Sequence, residues 1–264
     1  MRLGVIGTGN MARAILTGIL DKGVLRADQI IAADAYAPSR EKAQKEFDIE
    51  VTEDNKKVAA CSDNILLSVK PQFYVDVINE IKDSVAPNTL VITIAPGKSL
   101  QWLEEQFGKD VRIIRCMPNT PAMVGEGMTA LCPNEKATVG DIRFTKELLH
   151  SFGRFEIVDE HLMDTVTAVS GSSPAYVFMM IEAMADAAVA GGMARPIAYE
   201  FAAQAVMGSA KMVLETGKHP GELKDMVCSP GGTTIEAVKI LEERGFRSAL
   251  IDAIEVCRQK SMSM

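Results

Sequence analysis

The feature that most constrains the fold of this chain is a glycine-rich motif directly after its first apolar run. The run Leu3–Ile6 is followed by Gly7-Thr8-Gly9-Asn10-Met11-Ala12, which opens a helical pattern. In a G-x-G-x-x-A motif the first glycine permits a tight turn and the second lets the backbone approach a pyrophosphate. The alanine lets the helix pack closely on the strand. The motif predicts a βαβ unit that binds a dinucleotide, and the alternative is a glycine turn with a structural role alone.

Strand-like and helical patterns alternate through the first part of the chain. Helical stretches such as 12–20, 39–47 and 74–85 separate short apolar runs. This alternation indicates βαβ units with right-handed crossovers. We expect an α/β Rossmann domain with a mostly parallel, doubly wound sheet over residues 1–160. The predicted strands are Leu3–Ile6, Ile30–Ala33, Ile65–Val69, Leu90–Ile94, Arg112–Arg115, Met128–Cys132 and Phe155–Val158.

The remaining residues predict an all-α C-terminal domain over residues 161–264. The pattern Ala175–Ala190 is rich in alanine and methionine, with small residues on every side, which is typical of a helix buried on most faces. A domain of such helices exposes much apolar surface as a monomer. We therefore expect at least a homodimer, with this domain as the interface. The predicted helices are Ala175–Ala190, Ile197–Glu215, Thr234–Glu243 and Phe246–Lys260.

Composition excludes several classes of protein. The net charge of −7 gives no electrostatic reason to bind nucleic acid or an anionic membrane. Five scattered cysteines favour reduced thiols, and three distant histidines argue against a metal site. The longest apolar run, 175–193, is interrupted by Glu182 and Asp186, so it predicts a buried helix rather than a membrane span. With Met1 leading straight into a strand, we expect no signal peptide and a cytoplasmic location.

Asp34 bears on the choice of coenzyme. It follows the second predicted strand, where an acidic residue typically binds the adenosine ribose, and this favours NADH. Ser39, Arg40 and Lys42 follow closely and are suited to a 2′-phosphate, which favours NADPH. The structural alternative is that Asp34 caps the next helix or turn. The sequence leaves the preference between NADPH and NADH undecided.

Two other predicted strands end in residues suited to a ligand site. Ser68-Val69-Lys70-Pro71 and Ala95-Pro96-Gly97 stand at the carboxyl ends of their strands. In open α/β sheets, ligands bind outside those ends. Proline and glycine are also ordinary turn residues. Coenzyme contact and a plain turn therefore remain equal alternatives here.

A second candidate site lies in the helical half. Cys228-Ser229-Pro230-Gly231-Gly232-Thr233-Thr234 leads into a helical pattern, and Thr233 and Glu236 have the spacing of a capping box. A well-capped helix explains the Thr/Glu pair but not the adjacent glycines Gly231 and Gly232. Bare amides at a helix N-terminus suit a small carboxylate. The segment Val169–Tyr176 also resembles a helix start, although we favour a simple joint between helices.

Several motifs together resemble the pyrroline-5-carboxylate reductase family over essentially the whole chain. They are Ile6–Ala12, Val69–Pro71, Cys116–Pro121, Ser170–Tyr176, His219–Asp225 and Ser229–Thr234, the last being the family's signature region. The resemblance implies reduction of the cyclic imine 1-pyrroline-5-carboxylate to L-proline by NAD(P)H, the final step of proline biosynthesis. It also implies a Rossmann domain and a helical domain that interlocks two subunits, with dimers often forming larger rings such as a pentamer of dimers.

The resemblance implies roles for particular residues. The substrate carboxylate is expected to bind the signature loop, with Thr234 as the catalytic residue that hydrogen-bonds the ring nitrogen. Pro96 departs from many relatives, which bears on the loop contacts at that strand end. Asp34 replaces the small hydroxyl residue that several relatives have at the ribose site, which puts the usual NADPH preference in doubt. The expected substrate-binding residues are Ser229, Gly231, Gly232, Thr233 and Thr234. The expected coenzyme-binding residues are Ile6, Gly7, Thr8, Gly9, Asn10, Met11, Asp34, Asn55, Ser68, Val69, Lys70, Pro71, Ala95 and Gly97.

Two other functions remain as alternatives. A β-hydroxyacid dehydrogenase shares a Rossmann domain followed by helices, but it uses a lysine in a K-x-x-x-N motif. Here Lys211 is followed four residues later by Glu215. A redox sensor that binds nucleotide without turnover needs no carboxylate site such as the signature loop. Because a protonated imine is already electrophilic, imine reduction needs no conspicuous acid–base pair, and we find none.

Overall fold

The computed structural model describes residues 1–263. One sheet organises the first half of the chain, and its strand order is β3-β2-β1-β4-β5-β6-β7-β8. All neighbouring strands are parallel except β6 and β7, which are antiparallel. The strands are β1 (Leu3–Ile6), β2 (Ile30–Ala33), β3 (Glu50–Thr52), β4 (Asn64–Leu67), β5 (Leu90–Thr93), β6 (Arg112–Met117), β7 (Gly127–Pro133) and β8 (Gly153–Ile157).

Helices cover both faces of this sheet, and the described chain after β8 forms helices and turns without a further strand. Short 3-10 turns and one π-helical segment, Thr167–Ser172, complete the described chain. The helices within residues 1–263 are α1 (Asn10–Asp21), α2 (Ala37–Phe47), α3 (Asn55–Ala60), α4 (Tyr74–Ile81), α5 (Leu100–Phe107), α6 (Val139–His150), α7 (Met163–Val166), α8 (Ser173–Ala190), α9 (Arg195–Thr216), α10 (Pro220–Val227), α11 (Thr233–Glu243) and α12 (Phe246–Met262).

The chain divides into two compact units. The first comprises residues 1–172 and the end of the chain from Cys257, and the second comprises Ser173–Val256. In the first unit, Ser261 Oγ lies 2.6 Å from Asp164 Oδ1 and Cys257 Sγ lies 3.1 Å from Ser172 Oγ, so hydrogen bonds tie the chain end to that unit. The second unit consists of helices. The predicted fold class, a mostly parallel Rossmann sheet followed by helices, is confirmed.

Alternation along the strands builds two cores in the first unit, one on each face of the sheet. Leu3 and Val5 point to one face, where they pack with apolar residues of α1 and α6. Ile6, one residue on, points to the other face and packs with residues of α3, α4 and α5. Because both faces are covered, the central strands are apolar along their whole length, as expected for parallel strands.

The strand order reverses beside β1. β2 and β3 lie on one side of β1, while β4, β5 and β6 lie on the other, each reached by a crossover helix. A crevice opens outside the carboxyl ends of the strands at such a point, and ligands of doubly wound sheets bind there.

Candidate active site

The fingerprint loop is held tightly between two strand ends. Gly7 has φ +93°, a left-handed conformation that favours glycine. A Cβ on Gly7 would lie 2.7 Å from the carbonyl oxygen of Ser68. The Gly7 N–H donates to the Ala33 carbonyl at 2.7 Å, and the Ser68 N–H donates to the Ile6 carbonyl at 2.8 Å. The loop therefore needs glycine at position 7 for both conformation and space.

The second glycine of the motif opens the N-terminus of α1. Gly9 is the N-cap, and no side chain among the described residues caps it. A Cβ on Gly9 would meet no atom of the chain within 4 Å, so the position faces open space. The first N–H groups of a helix have no partner inside the helix and carry the positive end of its dipole. Gly9 thus offers a phosphate an unobstructed approach to those amides.

These amides line a groove of about 360 Å³ at the reversal point of the sheet. It collects residues from the carboxyl ends of β1, β4, β5 and β6. Seven of the predicted coenzyme-binding residues are among its lining, whereas the others are not. The lining consists of Gly9, Asn10, Met11, Ser68, Val69, Lys70, Ile94, Ala95, Pro96, Met117, Pro118, Asn119, Thr120 and Gly171.

The predicted residues outside this lining fall into two groups. Ile6, Gly7 and Thr8 form the strand end and turn behind the groove, and Asp34 is hydrogen-bonded to Thr8 at 2.8 Å. The others belong to turns or helix starts that follow strands. Pro71 begins a 3-10 turn, Gly97 has φ +71°, and Asn55 is the first residue of α3, where its side chain donates to Glu80 at 2.8 Å.

Sequence reasoning from chemistry missed the far wall of the groove. Met117, Pro118, Asn119 and Thr120 follow β6, and Gly171 belongs to the π-helical segment. Asn119 is only 8% exposed. Its Oδ1 accepts from the Met128 N–H at 2.8 Å and its Nδ2 donates to the Ser170 carbonyl at 3.0 Å. The motif around Asn119 supported the family resemblance, but its residue types point to no particular chemistry.

Buried polar groups beneath the groove serve structure rather than catalysis. The Tyr74 hydroxyl donates to the Leu67 carbonyl at 2.9 Å and lies 2.8 Å from Thr93 Oγ1. Burial raises the pKa of this phenol. Burial also raises the pKa of the Cys116 thiol. Because Cys116 stays protonated, it is a poor nucleophile.

A larger groove of about 1070 Å³ lies elsewhere in the first unit. Its lining includes the surface side chains Lys22, Arg143, Lys146 and His150. It lacks the glycine amides and the strand ends that define a dinucleotide site in this fold. The smaller groove is therefore the candidate site for a dinucleotide.

The second candidate site is a tight turn in the second unit. The Gly232 N–H donates to the Ser229 carbonyl at 3.0 Å, with Pro230 and Gly231 between them. Gly231 has φ +65°, as a type II turn requires after proline. A Cβ on Gly232 would lie 2.4 Å from Ser229 Oγ. Both glycines are therefore required for the turn to bring the Ser229 side chain close to the backbone.

The predicted capping box at Thr233 is wrong. The N-cap of α11 is Gly232, with extended backbone at φ −81° and ψ 171°, and Thr233 is already the first helical residue. The reason is that the turn ends at Gly232, so the helix frame begins one residue earlier than the Thr/Glu spacing suggests. No side chain within the described residues caps this helix. The N–H groups of Thr233 and Thr234 therefore lie where helix amides have no partner inside the helix.

Residues 1–263 contain no group of histidine, cysteine and carboxylate side chains arranged to hold a metal ion. In the same residues, every helix is too short or too polar to cross a membrane.

Comparison with known proteins gives matches in both the N-terminal and the C-terminal part of the chain. Residues 160–264 match a family model described as pyrroline-5-carboxylate reductase dimerisation, so the chain carries a dimerisation domain. Residues 2–97 match one described as NADP oxidoreductase coenzyme F420-dependent. The pyrroline-5-carboxylate reductase of Escherichia coli strain K12 is 52% identical over 263 residues, covering 98% of this chain and 97% of the relative.

Solved structures agree with these matches. A pyrroline-5-carboxylate reductase from Coxiella burnetii superposes with a TM-score of 0.92 at 33% identity, covering 99% of this chain and 97% of the other. The Plasmodium falciparum pyrroline carboxylate reductase, solved with NADP bound, gives 0.91 at 31% identity, covering 100% and 97%. With a fingerprint groove, an amide-lined turn and relatives that match from end to end, this chain belongs to the pyrroline-5-carboxylate reductase family.

Proposed function

We propose that this chain reduces 1-pyrroline-5-carboxylate to L-proline with NADH or NADPH, the final step of proline biosynthesis. The observation that carries the proposal is the pairing of two kinds of site in a member of this family. One is a glycine-lined groove suited to a dinucleotide, and the other is an uncapped helix N-terminus suited to a small carboxylate.

The coenzyme part of the proposal rests on the fingerprint groove. The amides at the start of α1 are suited to the pyrophosphate, because Gly9 leaves them unobstructed. The strand ends at Ser68–Lys70 and Ala95 line the same groove and would contact the nicotinamide half. When bound, the reduced nicotinamide would supply hydride to the carbon of the C=N bond.

The substrate part of the proposal rests on the turn before α11. The Gly232 amide already donates to Ser229, so the amides of Thr233 and Thr234 are the natural partners of the substrate carboxylate. Gly231 and Gly232 then serve by shaping the turn, and the Ser229 hydroxyl provides a further polar contact. Thr234 is the proposed catalytic residue, with its hydroxyl hydrogen-bonded to the ring nitrogen.

The reaction needs the chain to bind and orient the substrate and the coenzyme rather than to act as an acid–base catalyst. In the protonated imine, hydride adds to the carbon of the C=N bond while the π electrons of that bond move to nitrogen, leaving a secondary amine that takes a proton from water. The reacting carbons must approach within about 3–3.5 Å. Thr234 fixes the nitrogen, and the carboxylate site fixes the ring carbon on the other side of that nitrogen, so the carbon of the C=N bond has one orientation.

Oligomerisation beyond the dimer is also part of the proposal. Exposed apolar side chains in the second unit, among them Phe178, Met179, Phe201 and Leu214, support burial against another copy. We propose a homodimer through residues 161–264, with a pentamer of dimers as the larger ring. Free cysteines support a reducing compartment, and we propose the cytoplasm.

Steady-state kinetics of a Thr234→Ala variant test this assignment. We expect kcat/KM for 1-pyrroline-5-carboxylate to fall about ten- to a hundredfold, equivalent to the loss of one hydrogen bond to a charged group. Thr216→Ala, on an exposed threonine at the end of α9, is the matched control and should leave the kinetics unchanged. If the Thr234→Ala variant has wild-type kinetics, Thr234 does not have the proposed catalytic role. Coenzyme binding with no oxidation on addition of the imine would refute the proposed function and favour a sensor.

A further inference from the structure

Asp34 occupies the ribose end of the coenzyme site. Strand β2 ends at Ala33, which lies beside Ile6 in parallel register, and the Gly7 N–H donates to the Ala33 carbonyl. Asp34 is the next residue and stands directly beside the fingerprint turn. In doubly wound folds this is the position next to the adenosine ribose of a bound dinucleotide.

The carboxylate of Asp34 is fixed in place by three hydrogen bonds. Its Oδ2 accepts from the Thr8 N–H at 2.8 Å and from the Thr8 hydroxyl at 3.0 Å. Its Oδ1 accepts from the Tyr36 N–H at 2.9 Å. An ionised carboxylate has about four acceptor positions. Asp34 can therefore accept one more hydrogen bond, but it cannot swing away from whatever lies beside it without breaking the other three.

A ribose hydroxyl and a 2′-phosphate would meet this fixed carboxylate in opposite ways. A hydroxyl donates a hydrogen bond to the remaining acceptor position. A phosphate monoester carries a charge of about −1.5 to −2 near neutral pH and presents mainly acceptor oxygens. An acceptor oxygen of the phosphate then faces an acceptor oxygen of Asp34, and the two negatively charged groups lie side by side.

The neighbouring cations do not offset this repulsion. Arg40 Nη1 donates to the main-chain carbonyls of Asp34 at 2.7 Å and Ala35 at 3.1 Å, and its Nη2 lies 3.5 Å from Glu53. The guanidinium therefore holds the turn after β2 in shape. Lys42 is exposed in the middle of α2, five positions after the helix begins at Ala37.

From this arrangement we infer that the chain uses NADH in preference to NADPH, and that Asp34 is the residue that decides it. The inference rests on the proposed function, since it names the coenzyme of the same site. Asp34 has both roles that the sequence left open. It stabilises the turn by accepting a hydrogen bond from the Tyr36 N–H, and its remaining acceptor position is available to the ribose.

The experiment compares the two coenzymes on the full-length protein. Dissociation constants of NADH and NADPH are measured by fluorescence titration, and kcat/KM for each coenzyme is measured at saturating 1-pyrroline-5-carboxylate. We expect NADH to be favoured at least tenfold in both measurements. Asp34→Asn keeps the size of the side chain and removes the charge, although its amide nitrogen cannot accept the bonds that one of the two carboxylate oxygens accepts. It should shift both ratios toward NADPH by tenfold or more. Asp28→Asn, at an exposed carboxylate in the first unit, is the matched control and should leave the ratios unchanged.

Each outcome separates this inference from the proposed function. A wild-type protein that binds NADPH as well as NADH, or better, overturns the inference while leaving the reductase intact. Unchanged ratios in Asp34→Asn remove the role of Asp34. If Asp34→Asn does not fold, the wild-type binding ratio alone decides the coenzyme preference. Tight NADH binding without imine reduction would support the inference and overturn the proposed function.

Discussion

Replacing Asn119 with alanine tests whether the far wall of the coenzyme groove depends on one side chain. Asn119 hydrogen-bonds the Met128 N–H at the start of β7 and the Ser170 carbonyl in the π-helical segment. Both it and Gly171, the residue after Ser170, line the groove. The side chain therefore fixes two parts of the wall that are about fifty residues apart in the sequence.

The expected cost follows from those two contacts. Each hydrogen bond contributes about 0.5–1.5 kcal/mol, and a polar group left unpaired in the interior costs about 1–3 kcal/mol. Because Met128 and Ser170 are half-buried, we take the lower part of that range, about 2–3 kcal/mol in total. For a chain of this size each kcal/mol lowers Tm by about 2–4 °C, so Tm should fall by about 4–12 °C.

The functional consequence distinguishes Asn119 from an ordinary buried asparagine. Loss of the Ser170 contact frees the segment that carries Gly171, and we expect the dissociation constant of the coenzyme to rise about three- to tenfold, or 0.7–1.4 kcal/mol. Asn134→Ala is the matched control, since Asn134 is also 8% exposed. It bonds Ile113, Ala137, Val111 and Glu104 near the opposite end of β6.

Thermal unfolding followed by circular dichroism and fluorescence titration of NADH, both on the same samples, measure the two effects. We expect both variants to lose stability and Asn119→Ala alone to lose coenzyme affinity. Equal loss of affinity in both variants would mean that instability, rather than the groove wall, is responsible. Unchanged affinity in Asn119→Ala would refute the positioning role outright.

The remaining predictions concern the two glycines of the fingerprint and the buried tyrosine. Gly7→Ala should lower both stability and coenzyme affinity, because its Cβ would meet the Ser68 carbonyl; Gly9→Ala should lower affinity alone, because that Cβ has space. Equal melting temperatures for these two variants would contradict this. Tyr74→Phe should cost about 1–3 kcal/mol by removing the two hydrogen bonds of the phenol, to the Leu67 carbonyl and with Thr93 Oγ1. Burial raises the pKa of Tyr74, so its neutral form stabilises the fold fully below pH about 10 and less at higher pH. In denaturant titrations at alkaline pH, the free energy of unfolding of the wild type should therefore lose its advantage over that of Tyr74→Phe.

The central strands could be predicted from the sequence because their signal is local. Strands β1 and β2 have the predicted bounds, since an apolar run followed by a turn is sufficient to define them. Strand β3, Glu50–Thr52, was missed because it has three residues and is partly exposed. Only its pairing with β2 identifies it as a strand. The antiparallel direction of β7 likewise depends on the arrangement of the whole sheet, and no pattern in the residues of β7 predicts it.

The candidate site likewise contains residues that a local motif predicts and residues that only the folded chain brings together. Gly9, Asn10 and Met11 are consecutive, so the motif alone is sufficient to bring them together at the groove. Met117–Thr120 and Gly171 reach the groove only because β6 lies two strands from β4 in the sheet and because Asn119 holds the π-helical segment. The capping-box error at Thr233 has a related cause, since a hydrogen bond from Gly232 back to Ser229 decides where the helix begins.

Glycine and side-chain chemistry have separate tasks in this molecule. Where an anion is expected, at Gly9 and at the Gly232 turn, the chain supplies main-chain amides. Gly9 leaves the approach to its amides open, and Gly232 allows the turn to form. Main-chain amides attract any anion, so they provide affinity with little discrimination. Selectivity must then come from the few side chains beside them. We expect Asp34 to reject a 2′-phosphate and Thr234 to recognise a ring nitrogen, so single substitutions there should change which molecules react while the fold persists.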